Sequence, residues 1–251
     1  MSSPWFQVLR ESPDARLRLV CFPSAGSGAS AYRGWLAFLP PWLDVVAVQA
    51  PGREGRGREA ALRRLDDIVD ALAADLPEAT QPRPFAFFGH SLGGRVAFEL
   101  ARRLEAGPGP APGHVILAAS MEPSAMSDLD RGCHLLPDAE FEAYAASFGA
   151  FPEELRRFPR QFKAVMDLLR ADLEVFATAA SPERPLLRAP LTVLGAREDE
   201  AVTPRCLEPW RARAASAFAL EWHDGGHFFP VQRAETVVAR LATLLEPAVV
   251  A

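Results

Sequence analysis

Cysteine is scarce in this sequence, and so is any excess of positive charge. The three cysteines, Cys21, Cys133 and Cys206, are odd in number, far apart and in no CxxC pair, so neither a disulfide framework nor a zinc motif is suggested. Lysine and arginine total 27 against 32 acidic residues, a formal charge of −5, and the cationic surface that a duplex nucleic acid requires is missing. Residues 1–11 hold neither a basic n-region nor an apolar h-region, and no apolar run approaches the roughly 20 residues that span a bilayer. The expectation is a cytoplasmic protein with no nucleic-acid or membrane partner. There is no internal repeat. What remains, 49% hydrophobic and 24% charged with a mean hydropathy of +0.01, is the composition of a soluble globular protein. Its 251 residues can bury a large core as one domain, and a start at Met1 with an end just past the last helical pattern is what a discrete protein should show.

Short apolar runs rich in β-branched or aromatic residues alternate with helical patterns, as in a mostly parallel sheet covered on both faces. The expected strands are residues 16–22, 44–49, 85–88, 114–119, 190–194 and 218–223. Helical periodicity marks 32–39, 66–76, 92–105, 205–215 and 231–245, with Leu65, Val69, Leu72 and Leu76 forming one buried stripe. About seventy residues separate the strand ending near Ala119 from the one beginning near Pro190, far beyond a usual connection of roughly 2–6. An inserted helical lid at about 121–185 is therefore expected, with helices over 136–148 and 161–180. The Gly- and Pro-rich stretch 107–113 is a surface loop.

Gly89-His90-Ser91-Leu92-Gly93 follows an apolar strand and opens a helix, the strand–turn–helix context of a nucleophile elbow. Glycines flank such a serine because side chains there collide with the neighbouring strand and helix. A bare GxSxG could equally be a helix-capping serine; the flanking elements decide for a nucleophile. A serine hydroxyl needs a base. Of five histidines, His227 lies in Asp224-Gly225-Gly226-His227-Phe228-Phe229, after the last strand and before the last helix, completing the chain order serine, acid, histidine of α/β-hydrolases. His223 at the strand end reads as structural. A metal pair of His223 and His227 needs a helix that Gly225-Gly226 opposes. His90 is expected to pack under the nucleophile, and His114 and His134 have no supporting context. Three consecutive carboxylates, Glu198, Asp199 and Glu200, follow the penultimate strand; Asp199 is the expected acid, against a solvated turn, and Glu122 is the other possible one.

An oxyanion hole takes backbone N–H groups, one from Leu92 and a second from Ala25 or Gly26 in the loop after the first strand. That loop also satisfies G-x-G-x-x-A from Gly26, but the acidic residue a dinucleotide site requires at the end of the next strand is absent from Val46-Ala47-Val48-Gln49.

Across nearly the whole chain the sequence resembles the free-standing type II thioesterases that accompany polyketide and nonribosomal peptide synthases. The likeness rests on Phe22-Pro23-Ser24-Ala25-Gly26, Gln49-Ala50-Pro51-Gly52-Arg53, Gly89-His90-Ser91-Leu92-Gly93, Leu136-Pro137-Asp138, Leu169-Arg170-Ala171-Asp172 and Gly225-Gly226-His227-Phe228-Phe229, in that order. Ser24 departs from the histidine frequent there. The resemblance implies an α/β-hydrolase fold, a Ser91–Asp199–His227 triad, no metal or organic cofactor, and a substrate acyl group held on the phosphopantetheine arm of a carrier protein.

Carrier proteins are generally acidic, so Arg53, Arg56, Arg58, Arg63 and Arg64, or Arg156, Arg157, Arg160 and Lys163, are candidate docking cations, against ordinary solvated side chains. Phe141, Phe148, Phe151, Phe162 and Met166 could line an acyl cavity, although helix packing accounts for most such residues. A small-molecule esterase or lipase with the same triad, and a silent partner-binding member of the fold, are the alternatives. A monomer is the default expectation.

Overall fold

The computed structural model describes residues 3–80, 83–178 and 186–246. Seven strands, β1 (Phe6–Arg10), β2 (Leu17–Phe22), β3 (Leu43–Val48), β4 (Phe85–His90), β5 (Val115–Ala118), β6 (Leu191–Ala196) and β7 (Phe218–His223), form one sheet in the order β1-β3-β2-β4-β5-β6-β7. All neighbours run parallel except β1, which pairs antiparallel with β3. The strands β2 to β6 are buried along their full length apart from β1 and β7 at the edges, the near-continuous apolar pattern of a sheet covered on both faces.

Alternation along β2 shows how the faces divide. Val20 and Phe22 join one core with α1 (Leu65–Thr80) and α2 (Leu92–Ala106). Leu19 and Cys21 join the opposite core with the 3-10 segment Ala29–Ala37 and, from near the C-terminus, α8 (Ala234–Leu245). The stripe Leu65, Val69, Leu72 and Leu76 is buried on α1 as its spacing predicts.

All six expected strands are present, with no end shifted by more than two residues. The seventh, β1, escapes the sequence pattern because an edge strand need not alternate cleanly: Phe6 is buried, Val8 is exposed, and the register slips between Val8 and Arg10. Three expected helices are altered. Residues 32–39 wind as a 3-10 segment over Ala29–Ala37. In 205–215, Pro209 follows a short α6 (Pro204–Leu207) and the chain tightens into a 3-10 turn, Glu208–Arg213. The last helix is broken at Arg233 (φ −114°, ψ 42°) into α7 (Phe229–Gln232) and α8.

The insertion between β5 and β6 carries α3 (Asp128–Gly132), α4 (Asp138–Ser147) and α5 (Pro159–Thr178), around a small core of Cys133, Phe141, Ala145, Leu169 and Leu173. The end of the expected helix 161–180 and of the expected lid lies at 179–185, outside the described residues. Among the described residues no helix is long and apolar enough to cross a membrane.

Trp35 joins the second core to α7. It is fully buried, packs edge-on against Tyr32 and Phe88, and donates from Nε1 to the Pro230 carbonyl at 2.8 Å. Trp35→Phe keeps one ring but opens a cavity where the other packed and removes the donor to that carbonyl, so a loss of about 2–5 kcal/mol is expected, read as a lower urea midpoint at unchanged slope.

Candidate active site

Ser91 sits between β4 and α2 with φ 55° and ψ −119°, a left-handed backbone conformation that side-chain-bearing residues rarely adopt. The turn is this tight because the chain must reverse from strand to helix without a loop. A Cβ at Gly89 would lie 2.4 Å from the Gly93 carbonyl, and one at Gly93 would lie 2.1 Å from the Phe22 carbonyl. Glycine at both positions is thus required by space.

His227 reaches Ser91 from the loop after β7. Its Nε2 is 3.0 Å from Ser91 Oγ, and its Nδ1 is 2.8 Å from Asp199 Oδ2. Asp199 Oδ1 accepts the backbone N–H groups of Ala201 and Val202, both at 3.0 Å. Burial pushes the Asp199 carboxyl up, but the hydrogen bond from His227, that residue's charge and the two backbone donors outweigh it and hold the carboxyl below its ordinary value. Glu198 and Glu200, its neighbours in sequence, are exposed. Glu122 is buried and occupied elsewhere, accepting from the Ser124 backbone at 2.7 Å and from Arg213 at 2.8 Å.

His90 was legible only as a packing residue, yet it holds the backbone of His227. Its Nε2 donates to the backbone carbonyl of His227 at 2.8 Å, and its ring lies against those of His227 and Phe228. Burial, and then the proximity of His227, lower its pKa to about 3, so it stays neutral with the proton on Nε2. The remaining histidines stand apart. His223 stacks on Phe229, His114 bonds Thr192, and the carbonyl of His134 accepts from Arg170. Among the described residues no group of three or more metal-ligating side chains is assembled.

The loop after β2 is fastened from three sides. Gly26 N–H donates to Asp172 Oδ2 at 2.7 Å, Ala29 N–H to Gln49 Oε1 at 2.9 Å and Ser30 N–H to Glu54 Oε1 at 3.2 Å. These donors are spent within the protein, which leaves no cradle for a dinucleotide phosphate. Gly26 is equally spent as an oxyanion donor. Among the described residues the N–H groups of Ala25 and Leu92 have no protein acceptor, and both residues line a cavity with Ser91 and His227.

Asp172, on α5, also takes Arg53 in a bidentate pair with both contacts at 2.8 Å, the side chains 2% and 9% exposed. Arg53 is therefore no docking cation. Arg56 is likewise committed, to Glu59, the Gln49 carbonyl and the face of Trp5. In the insertion, Arg156 pairs with Glu142 and Lys163 with Asp167. Of the aromatic candidates only Phe148 reaches the Ser91 cavity. Phe141 is core, and Phe151 and Phe162 pack on each other beneath Arg156. The other walls, including Met121, Tyr144, Leu173 and Phe176, carry no sequence signal beyond ordinary apolar spacing.

Such a site can activate a hydroxyl, hold an acyl-enzyme in a largely apolar cavity and stabilise an oxyanion at two backbone donors. A thioesterase domain family model matches residues 17–245. The chain is 35% identical to the gramicidin S biosynthesis protein GrsT of Aneurinibacillus migulanus, over 90% of this chain and 87% of that protein. It is 30% identical to thioesterase PikA5 of Streptomyces venezuelae, over 91% and 80%. The solved structure of the type II thioesterase BorB from the borrelidin biosynthetic cluster superposes with a TM-score of 0.82 at 31% identity, covering 98% of each chain.

The depressed pKa of His90 has a consequence for stability. Below its ordinary value of 6.5 the unfolded chain binds a proton that the folded chain refuses until about pH 3, so stability falls as pH drops through that window. His90→Gln keeps a donor and removes the titration: its urea midpoint is expected to decline less between pH 6.5 and 4 than the wild type's. His90→Leu should slow fluorophosphonate labelling of Ser91 by about tenfold or more relative to His90→Gln.

Proposed function

The chain belongs to the thioesterase family as a type II member and is a thioester hydrolase, and from that premise we propose that Ser91, His227 and Asp199 form its catalytic triad and that its substrates are acyl groups on the phosphopantetheine arm of carrier proteins in polyketide or nonribosomal peptide assembly. The observation that carries this reading is the unbroken chain of hydrogen bonds from Asp199 through His227 to Ser91, 2.8 and 3.0 Å long, opening onto an apolar cavity.

In the first half-reaction His227 Nε2 takes the Ser91 proton as Oγ attacks the thioester carbonyl. Asp199 fixes the imidazole so that Nε2 faces the serine, and it stabilises the imidazolium that forms. The N–H groups of Leu92 and Ala25 receive the oxyanion. Collapse breaks the carbon–sulfur bond, and the departing sulfur takes the proton from Nε2. A thiol has a pKa of about 8.5, far below an alcohol's, so this expulsion needs little acid help. Water, deprotonated by the same imidazole, then releases the free acid and restores Ser91.

We take the chain as one α/β-hydrolase domain with residues 121–185 as its lid, acting in the cytoplasm where carrier proteins are loaded. A single sheet with the described helices packed on its faces supports the first part. The relatives' biosynthetic roles support the second. Among the described residues, Arg58, Arg157 and Arg160 have no ion-pair partner and are exposed, which leaves them as candidate cations for a carrier protein.

Mass spectrometry of acyl-loaded carrier proteins tests the reading. Wild-type protein should strip the acyl group, Ser91→Ala should lose about three orders of magnitude or more while remaining folded, and Asp199→Asn about two to four. Undiminished turnover by Ser91→Ala, or a preference for oxygen esters over thioesters of equal chain length, overturns it.

A further inference from the structure

The cavity at Ser91 holds about 60 Å³, and most of its wall is apolar, with Ala25, Met121, Phe148, Leu173, Phe176 and Val202 among the lining residues. Apart from Ser91 and His227, three polar side chains interrupt that lining: Ser24, Asp130 and Tyr144. Ser24 is occupied by a neighbour, its Oγ 3.1 Å from Ser27 Oγ. Asp130 and Tyr144 come from the insertion, on α3 and α4, and Tyr144 Oη donates to Asp130 Oδ1 at 2.9 Å. Among the described residues no lysine or arginine lines the cavity, and Asp130 is its one carboxylate. The wall therefore carries a negative charge with no cation to offset it.

Counting hydrogen bonds shows what that carboxylate has left. Each of its oxygens can accept about two. Oδ2 uses both on Ser127, taking the backbone N–H at 2.8 Å and the hydroxyl at 2.7 Å. Among the described residues Oδ1 takes the Tyr144 hydroxyl alone, so one acceptor position stays open on a residue that lines the cavity. Burial first, then Cys133 and Asp130, push the Tyr144 phenol above its ordinary value, so it keeps its proton and remains the donor of that bond. The adjacent cation, Arg131, is turned away to the Pro123 carbonyl at 2.8 Å.

An alkyl chain brought against that oxygen strips water from it and offers nothing in exchange. A protonated amine in the same place pairs with it, under less screening than in bulk water because the remaining wall is apolar. We propose that Asp130, held by Tyr144, is a specificity-determining residue that selects acyl groups carrying a protonated amine, so that aminoacyl thioesters are preferred to alkanoyl ones of the same size. The assignment rests on the thioesterase reading above and deepens it by naming the acyl class. Volume sets the second limit. The cavity, at about 60 Å³, is well below the roughly 150 Å³ that accepts a benzene ring, so the acyl group is short and carries no ring.

The test uses two isosteric pairs of pantetheine thioesters, glycyl against propionyl and 3-aminopropionyl against butyryl, in which an ammonium replaces a methyl group. In the wild type the amine-bearing member should have the lower KM in at least one pair. Asp130→Asn should lower the ratio of kcat/KM, amine-bearing to alkanoyl, about tenfold in that pair, through KM. Tyr144→Phe frees a second position on Oδ1 and should hold or raise the ratio. Ser127→Ala weakens the same turn but leaves the carboxylate, and should keep the wild-type ratio. A mere strut between α3 and α4 would slow both members of a pair alike in Asp130→Asn and Tyr144→Phe, and that pattern overturns the assignment. So does a wild type whose KM favours the amine-bearing member in neither pair, a result that needs no variant to fold. If the wild type hydrolyses none of the four thioesters nor any acyl-loaded carrier, the thioesterase reading fails with it; hydrolysis without the selectivity condemns the role of Asp130 alone.

Discussion

The site depends on a steric constraint before it depends on any chemistry. Ser91 holds φ 55° only because strand and helix close on it from both sides, with Gly89 and Gly93 leaving no room for a methyl group against the carbonyls of Gly93 and Phe22. Non-glycine residues pay of order 1–3 kcal/mol for such a conformation, and the packed sheet and α2 supply it. In return the hydroxyl lies at the start of a helix, where the Leu92 N–H has no protein acceptor among the described residues because the first N–H groups of a helix have no intrahelical partner.

A second constraint fixes the loop opposite. The buried Arg53–Asp172 pair joins the loop after β3 to α5, and the same carboxylate holds Gly26 N–H. Such a pair contributes little net stability, since desolvation offsets most of its attraction, but breaking it is costly because one charge would be left buried alone. It therefore acts as a two-way register: α5 cannot shift over the sheet without moving the loop that carries Ala25. The insertion and the site are coupled mechanically through one carboxylate.

These facts divide what is legible in the sequence from what is not. Ser91 can be found because its turn is local, a strand, two glycines and a helix within about twenty residues. His227 is legible for a similar reason, from its glycine-rich loop between the last strand and last helix. The choice of Asp199 among three consecutive carboxylates is harder, because it turns on which one folds inward to cap the N–H groups of Ala201 and Val202. What sequence cannot supply is pairing across distance. Arg53 reads as a surface cation because Asp172, 119 residues away, is invisible to a local charge pattern, and His90 reads as filler because its acceptor lies 137 residues on. The edge strand β1 and the walls of the cavity fail for the same reason, since both are defined by what docks against them.

The two histidines show how tertiary burial assigns roles that residue type leaves open. Their rings are 5.4 Å apart, close enough that two positive charges would oppose each other strongly in a desolvated site. The fold resolves the competition by environment. His90, buried under the turn with only a carbonyl to face, is pushed down to about 3 and held neutral. His227 instead faces a carboxylate that its surroundings keep ionised. The hydrogen bond from His90 meanwhile holds the His227 backbone in place without setting a second charge beside it.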